Sequence, residues 1–143
     1  FTEAALKLFE QFRAQFPDRY PPSTVVNDVL YFLKGRPQHH EAVMRMVSSM
    51  VARDSPVSLN QIADASTDGS VQHIPPYISW GSQPNSKTFE VLIRHAHHLK
   101  DIRMCWFWFH EMRRLRVRGT SVSYHTMVDL ASGRGGAGRG GDG

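Results

Sequence analysis

Four short apolar blocks recur along the chain at nearly even spacing. They are "STVVNDVL" from Ser23, "PVSLNQIA" from Pro56, "SKTFEVLI" from Ser86 and "SVSYHTMV" from Ser121, with steps of 33, 30 and 35 residues. Laid over one another, they put Val26, Leu59, Phe89 and Tyr124 at one position. Val29, Ile62, Leu92 and Met127 share a second, and Leu30, Ala63, Ile93 and Val128 a third. Offsets of three and four residues describe one face of an α-helix. A second kind of block sits between them: "EAALKLFEQF" from Glu3, "EAVMRMVSSM" from Glu41 and "MCWFWFHEM" from Met104. Each period therefore holds two helices. A hairpin of two three-turn helices cannot bury its apolar faces alone, so neighbouring hairpins must cover each other. The expected fold is all-α: an α-solenoid of antiparallel helical hairpins, about three to four repeats, over residues 1–130.

The punctuation agrees. Pro17 and Pro21-Pro22 end a first helix whose stripe is Ala5, Leu8, Phe9, Phe12 and Phe16. In the block from Ser23, Ser23 or Thr24 can cap, and Val26, Val29, Leu30 and Leu33 form the stripe. Its β-branched content also suits a strand. Residues 66–84 contain Gly, two adjacent Pro and no period, and read as an irregular loop replacing the second helix of its unit. In that loop Ile74, Tyr77, Ile78 and Trp80 are candidates to cover neighbouring helices. Gly119 is the expected stop of the helix that carries "CWFWFHEM". Residues 131–143 are mostly Gly and Arg and cannot build a core, so a flexible tail is expected.

Several function classes lose support. The single Cys105 excludes an internal disulfide and any multi-cysteine metal site, and its apolar setting predicts a buried, inert thiol. No stretch reaches the ~18–20 apolar residues of a membrane span. The cluster of His95, His97, His98 and His110 lacks HExxH or paired-Cys spacing, so structural or surface roles are expected, with no metal and no cofactor. No nucleophile elbow, Walker loop or dinucleotide fingerprint is present, so neither an enzyme nor a small-molecule substrate is expected. The chain starts at Phe1, which predicts a processed or trimmed piece of a longer protein.

A period near 35 with Phe or Tyr in the first turn and a closing "xxEM" resembles the pentatricopeptide repeat family. Residues 86–120 carry the resemblance most closely: "PNSKTFEVLI" is similar to the family's "PDxxTYNxLI", and "WFHEM" to "LFEEM". The likeness covers nearly all of residues 3–130, but only this unit is close. Tetratricopeptide hairpins are similar but carry a different small/aromatic pattern. The resemblance implies that one RNA base is read per unit, by a first-helix side chain and a side chain at the repeat's end. By position, the first-helix readers are Asn27, Asn60, Glu90 and His125, and the repeat-end partners Ser55, Asn85 and Thr120.

Charge points the same way. Between residues 94 and 118 stand Arg94, Lys100, Arg103, Arg113, Arg114, Arg116 and Arg118 against two acids, Asp101 and Glu111. Cations at a helix C-terminus answer the macrodipole, but seven against two exceeds that preference and suits a phosphate backbone. Arg94, Arg113, Arg114, Arg116 and Arg118 are the candidate backbone contacts. The "GRGGAGRGG" tail is either a plain flexible end or a segment that tracks single strands. Two functions follow as expectations. One is an RNA-binding protein of mitochondrial (or chloroplast) RNA metabolism or translation. The other is a structural subunit of an organellar assembly such as the mitochondrial ribosome, with rRNA and ribosomal or other organellar proteins as partners. The organelle comes from the resemblance and the basic charge.

Overall fold

Helices supply the regular structure of residues 2–61 and 77–133, which the computed structural model describes. They are α1 (Thr2–Gln15), α2 (Ser23–Leu33), α3 (His40–Ser48) after a 3-10 turn at Pro37–His39, α4 (Ser86–His98), α5 (Ile102–Arg114) and α6 (Ser121–Ala131). The chain is all-α. Expectations for Ile62, Ala63, Ile74, residues 66–76 and most of the Gly/Arg tail lie outside the described residues.

The β-branched block from Ser23 is a helix, because tertiary burial outweighs the small propensity cost of Val. Its N-cap is Pro22 in extended conformation, and neither Ser23 nor Thr24 caps it with a side chain. Val26, Leu30 and Leu33 are fully buried, as the stripe required. In α1 the stripe turns: Leu6 and Phe9 pack against the core, whereas Leu8 is 67% exposed. Among the helices α1 has its main contacts with α2, so one narrow edge of it is covered.

α2, α4 and α6 lie side by side, with α4 in the middle. α3 packs behind α2, while α5 packs behind α4 and also touches α6. α4 is consequently buried nearly all round, with Phe89, Val91, Leu92, Ile93 and Ala96 in the core. α2 rests directly on α4. The 33- and 30-residue steps imply a unit from Pro56 between them, with an irregular loop in place of its second helix. Instead the chain after α3 runs along its own end: the Ala52 N–H donates to the Ser79 carbonyl (2.8 Å), and the Gly81 and Ser82 N–H groups both donate to Met50 (2.7 and 2.9 Å). Leu59, Ile78 and half-buried Trp80 join the core from this segment, so Ile78 and Trp80 cover helices as expected, while Tyr77 stays exposed.

The 35-residue step recurs in the caps. The Asn85 side chain accepts from the Thr88 N–H and begins α4; Thr120 accepts from the Ser123 N–H and begins α6. Thr88 and Ser123 are both fully buried. The ends of α4 and α5 also match. Lys100 N–H bonds His97 and Asp101 N–H bonds Ala96; Arg116 N–H bonds Arg113 and Val117 N–H bonds Met112. These are Schellman closures, each with a cationic residue in the left-handed region, Lys100 at φ 60° and Arg116 at φ 59°. Gly119, the expected stop, has another reason to be Gly. A Cβ there would stand 2.5 Å from the Tyr124 ring.

Candidate nucleic-acid interface

The expected base readers divide sharply. Asn27 is buried: its Nδ2 donates to Asn85 Oδ1 (3.0 Å), and its Oδ1 accepts from Thr88 Oγ1 (2.6 Å). Asn85 is thereby both helix cap and inter-helix partner. These amides join α2 to the start of α4, with both amide atoms of Asn27 and the Asn85 Oδ1 already engaged. Ser55 is engaged as well, donating to the Val57 carbonyl (2.7 Å) and accepting from the Ser79 N–H (2.9 Å). Thr120 serves as a cap. Glu90 is buried between Lys87 (3.4 Å) and Arg94 (3.9 Å). Asn60 is exposed, and so is His125, 3.5 Å from Asp129. The structure does not bring these seven residues onto one surface.

Arg114 also turns inward. It donates through Nε to buried Glu111 (3.0 Å), pairs with the same carboxylate through Nη2, donates to the Ile78 carbonyl (3.0 Å) and stacks over Tyr77 (4.7 Å to the ring centre). Trp80 Nε1 donates to Glu111 too (2.8 Å). The hydrogen bond from Arg114 to Glu111 holds the guanidinium pKa above its usual value, despite burial. Arg114 is thus the bolt that fixes residues 77–80 to α5. Arg113, Arg116 and Arg118 are exposed, with the Arg113 guanidinium 5.9 Å from the centre of the Phe109 ring. Exposed Tyr124 meets the same ring edge-on at 5.6 Å.

A second aromatic and cationic group lies on the exposed face of α2. Tyr31 is 50% and Phe32 51% exposed, although both belong to a helix of high apolar content. Lys34 Nζ stands 4.4 Å and Lys87 Nζ 5.7 Å from the centre of the Tyr31 ring. Burial, then the nearby charges of His97, Arg94 and Lys34, lower the pKa of His98, so Lys34 and Arg94 lie near the C-terminal end of α4. Sequence reasoning passed over Tyr31, Phe32, Lys34 and Lys87. The signal was present: Val26, Val29, Leu30 and Leu33 account for the buried stripe and leave two adjacent rings off it.

Among the described residues no group of three or more His, Cys, Asp or Glu is placed to hold a metal ion. His95 is instead a buried connector. Its Nδ1 accepts from the Gly35 N–H (2.8 Å), so its proton sits on Nε2, which donates to His40 Nδ1 (3.1 Å). Burial first, then His40 and His98, lower its pKa to about 4. Cys105 is buried, and desolvation pushes its thiol up to about 12. Compared with protein-family models, curated proteins and solved structures, the chain matches none.

Proposed function

We propose that this protein binds single-stranded RNA on a short pentatricopeptide-type solenoid, by ring stacking and phosphate charge rather than by a base code, in mitochondrial RNA metabolism or translation. The observation that carries the reading is the exposed Tyr31 ring between Lys34 and Lys87, beside Phe32. A half-exposed ring flanked by cations offers a base its π-face and the adjoining phosphates their counter-charge. Tyr124 with Arg113, Arg116 and Arg118 repeats the combination at the turn after α5. The internal engagement of Asn27, Asn85 and Ser55 supports a sequence-blind mode. It also supports the second reading, a structural subunit of a mitochondrial ribosome or similar assembly that contacts rRNA and protein.

The test is fluorescence anisotropy with short oligouridylate and oligoadenylate. Tyr31→Ala is expected to weaken both by about ten-fold, since base–ring stacking contributes ~1–3 kcal/mol. Lys34→Gln with Lys87→Gln is expected to weaken both and flatten the salt dependence. Unchanged affinity in all these variants would remove the proposed surface. Binding to folded rRNA fragments alone would favour the second reading.

A further inference from the structure

A cleft bounded by the C-terminal half of α1, the end of α3 and the turn that follows has no part in the surface above. It holds about 280 Å³, against the ~10–15 Å³ that one water needs. Its polar lining is Arg13, Ser48, Arg53, Ser55, Ser58 and Asn60, and no carboxylate lines it among the described residues. Ser55 is held by Val57 and Ser79, and Ser58 Oγ accepts from the Gln61 N–H (3.2 Å), whereas Ser48 and Asn60 are exposed. Neither arginine makes an ion pair among the described residues. The Arg13 Nε–H is shielded from solvent and has no acceptor among the described residues. Arg53 lies over the Tyr20 ring, and its backbone N–H donates to the Tyr20 hydroxyl (3.1 Å), which fixes its place in the turn.

A half-buried guanidinium with no ion pair among the described residues suits an oxyanion that accepts from its planar fork. Two uncompensated cations with further amide and hydroxyl donors match a dianion of several oxygens better than a carboxylate. We propose that this cleft binds a phosphate group, anchored by Arg13, with Arg53 and Asn60 as outer donors. The site is independent of the Tyr31 surface.

The test is titration of the full chain with inorganic phosphate at constant ionic strength set by chloride, read by calorimetry and by ³¹P line broadening. Saturable binding is expected, weakened about ten-fold or more in Arg13→Gln and in Arg53→Gln, the loss of one charge-assisted contact. Arg53 lies in an exposed turn, so Arg53→Gln keeps the test decisive should Arg13→Gln not fold. Tyr31→Ala is expected to bind phosphate as wild type does, which separates this site from the proposed RNA surface. Displacement of phosphate by oligouridylate would identify a nucleic-acid backbone as the source of the phosphate. Retention would identify a small phosphorylated compound. No saturable binding above the chloride control, or wild-type binding in both arginine variants, would overturn the proposal.

Discussion

Five of the seven side chains that look like readers in the sequence are engaged within the fold, and Asn60 and His125 are exposed. Asn27→Ala removes the cross-link from α2 to Asn85 and Thr88. It is expected to cost about 1–3 kcal/mol in urea denaturation, because two inter-helix hydrogen bonds are lost at about 0.5–1.5 kcal/mol each, and to leave relative affinity for different RNAs unchanged. An amide at the reader position carries no mark in one sequence of whether it faces a base or another helix. That depended on α2 meeting α4 directly, a contact between residues about sixty apart that the even period concealed. His95 yields a second expectation. Unfolded, it takes up a proton near pH 6.5; folded, only near 4. The unfolded state therefore binds more protons in between, so the contribution is complete above about pH 6.5 and is lost as pH falls toward 4. Unfolding free energy is expected to drop by about 2 kcal/mol between pH 7.5 and 5, and His95→Asn to flatten that slope. A slope unchanged in His95→Asn would show that the Gly35–His95–His40 connection does not govern it.

At the scale of elements, helix periodicity was readable, because it depends on neighbours within one turn. Helix ends were less so. Ser23 and Thr24 read as caps, yet neither caps α2, and Asn85 and Thr120, which cap α4 and α6, read as base contacts. Gly119 read as the stop, but Leu115 closes α5 and Arg116 occupies the left-handed position. Lys100→Gly and Arg116→Gly are each expected to stabilise the protein by about 0.5–1 kcal/mol, since a β-carbon is strained at that φ. Thermal unfolding measures this directly, and destabilisation by both would mean that their side chains hold the turns. Arg116→Gly is expected also to weaken RNA binding, a split between stability and function that Lys100→Gly lacks if the cationic surface is placed correctly. Within α5, Trp108 and Met112 are buried as the stripe required, and Trp108→Ala is expected to cost about 3–5 kcal/mol. Ile102, on the same stripe, is exposed at the helix start. α6 departs furthest: Tyr124 and Val128 occupy the places of buried Phe89 and Ile93, yet Val128 is 55% exposed. The pattern of a repeat encodes a face, but burial needs a neighbour. α4 lies between α2 and α6, whereas the helix neighbours of α6 are α4 and α5.

For the whole molecule, a net charge of +4 and a series of short helices favour an anionic partner only weakly. The placement of charge is more specific. Arg114 is withdrawn into a bolt with Glu111 and Trp80, while Lys34 and Lys87 stand beside Tyr31, and Arg113, Arg116 and Arg118 are exposed. A surface of rings and cations, with its amides locked between helices, suits a partner held by stacking and phosphate contacts. The most direct measurement is the affinity of the wild-type chain for single-stranded oligouridylate, oligoadenylate and oligocytidylate across a salt series. Straight log–log plots are expected for all three, falling with a slope of about −2 to −4, roughly 0.7 per phosphate contacted, with affinities within about ten-fold of one another. Absence of binding at low salt, or strong preference for one base with a shallow slope, would contradict the account.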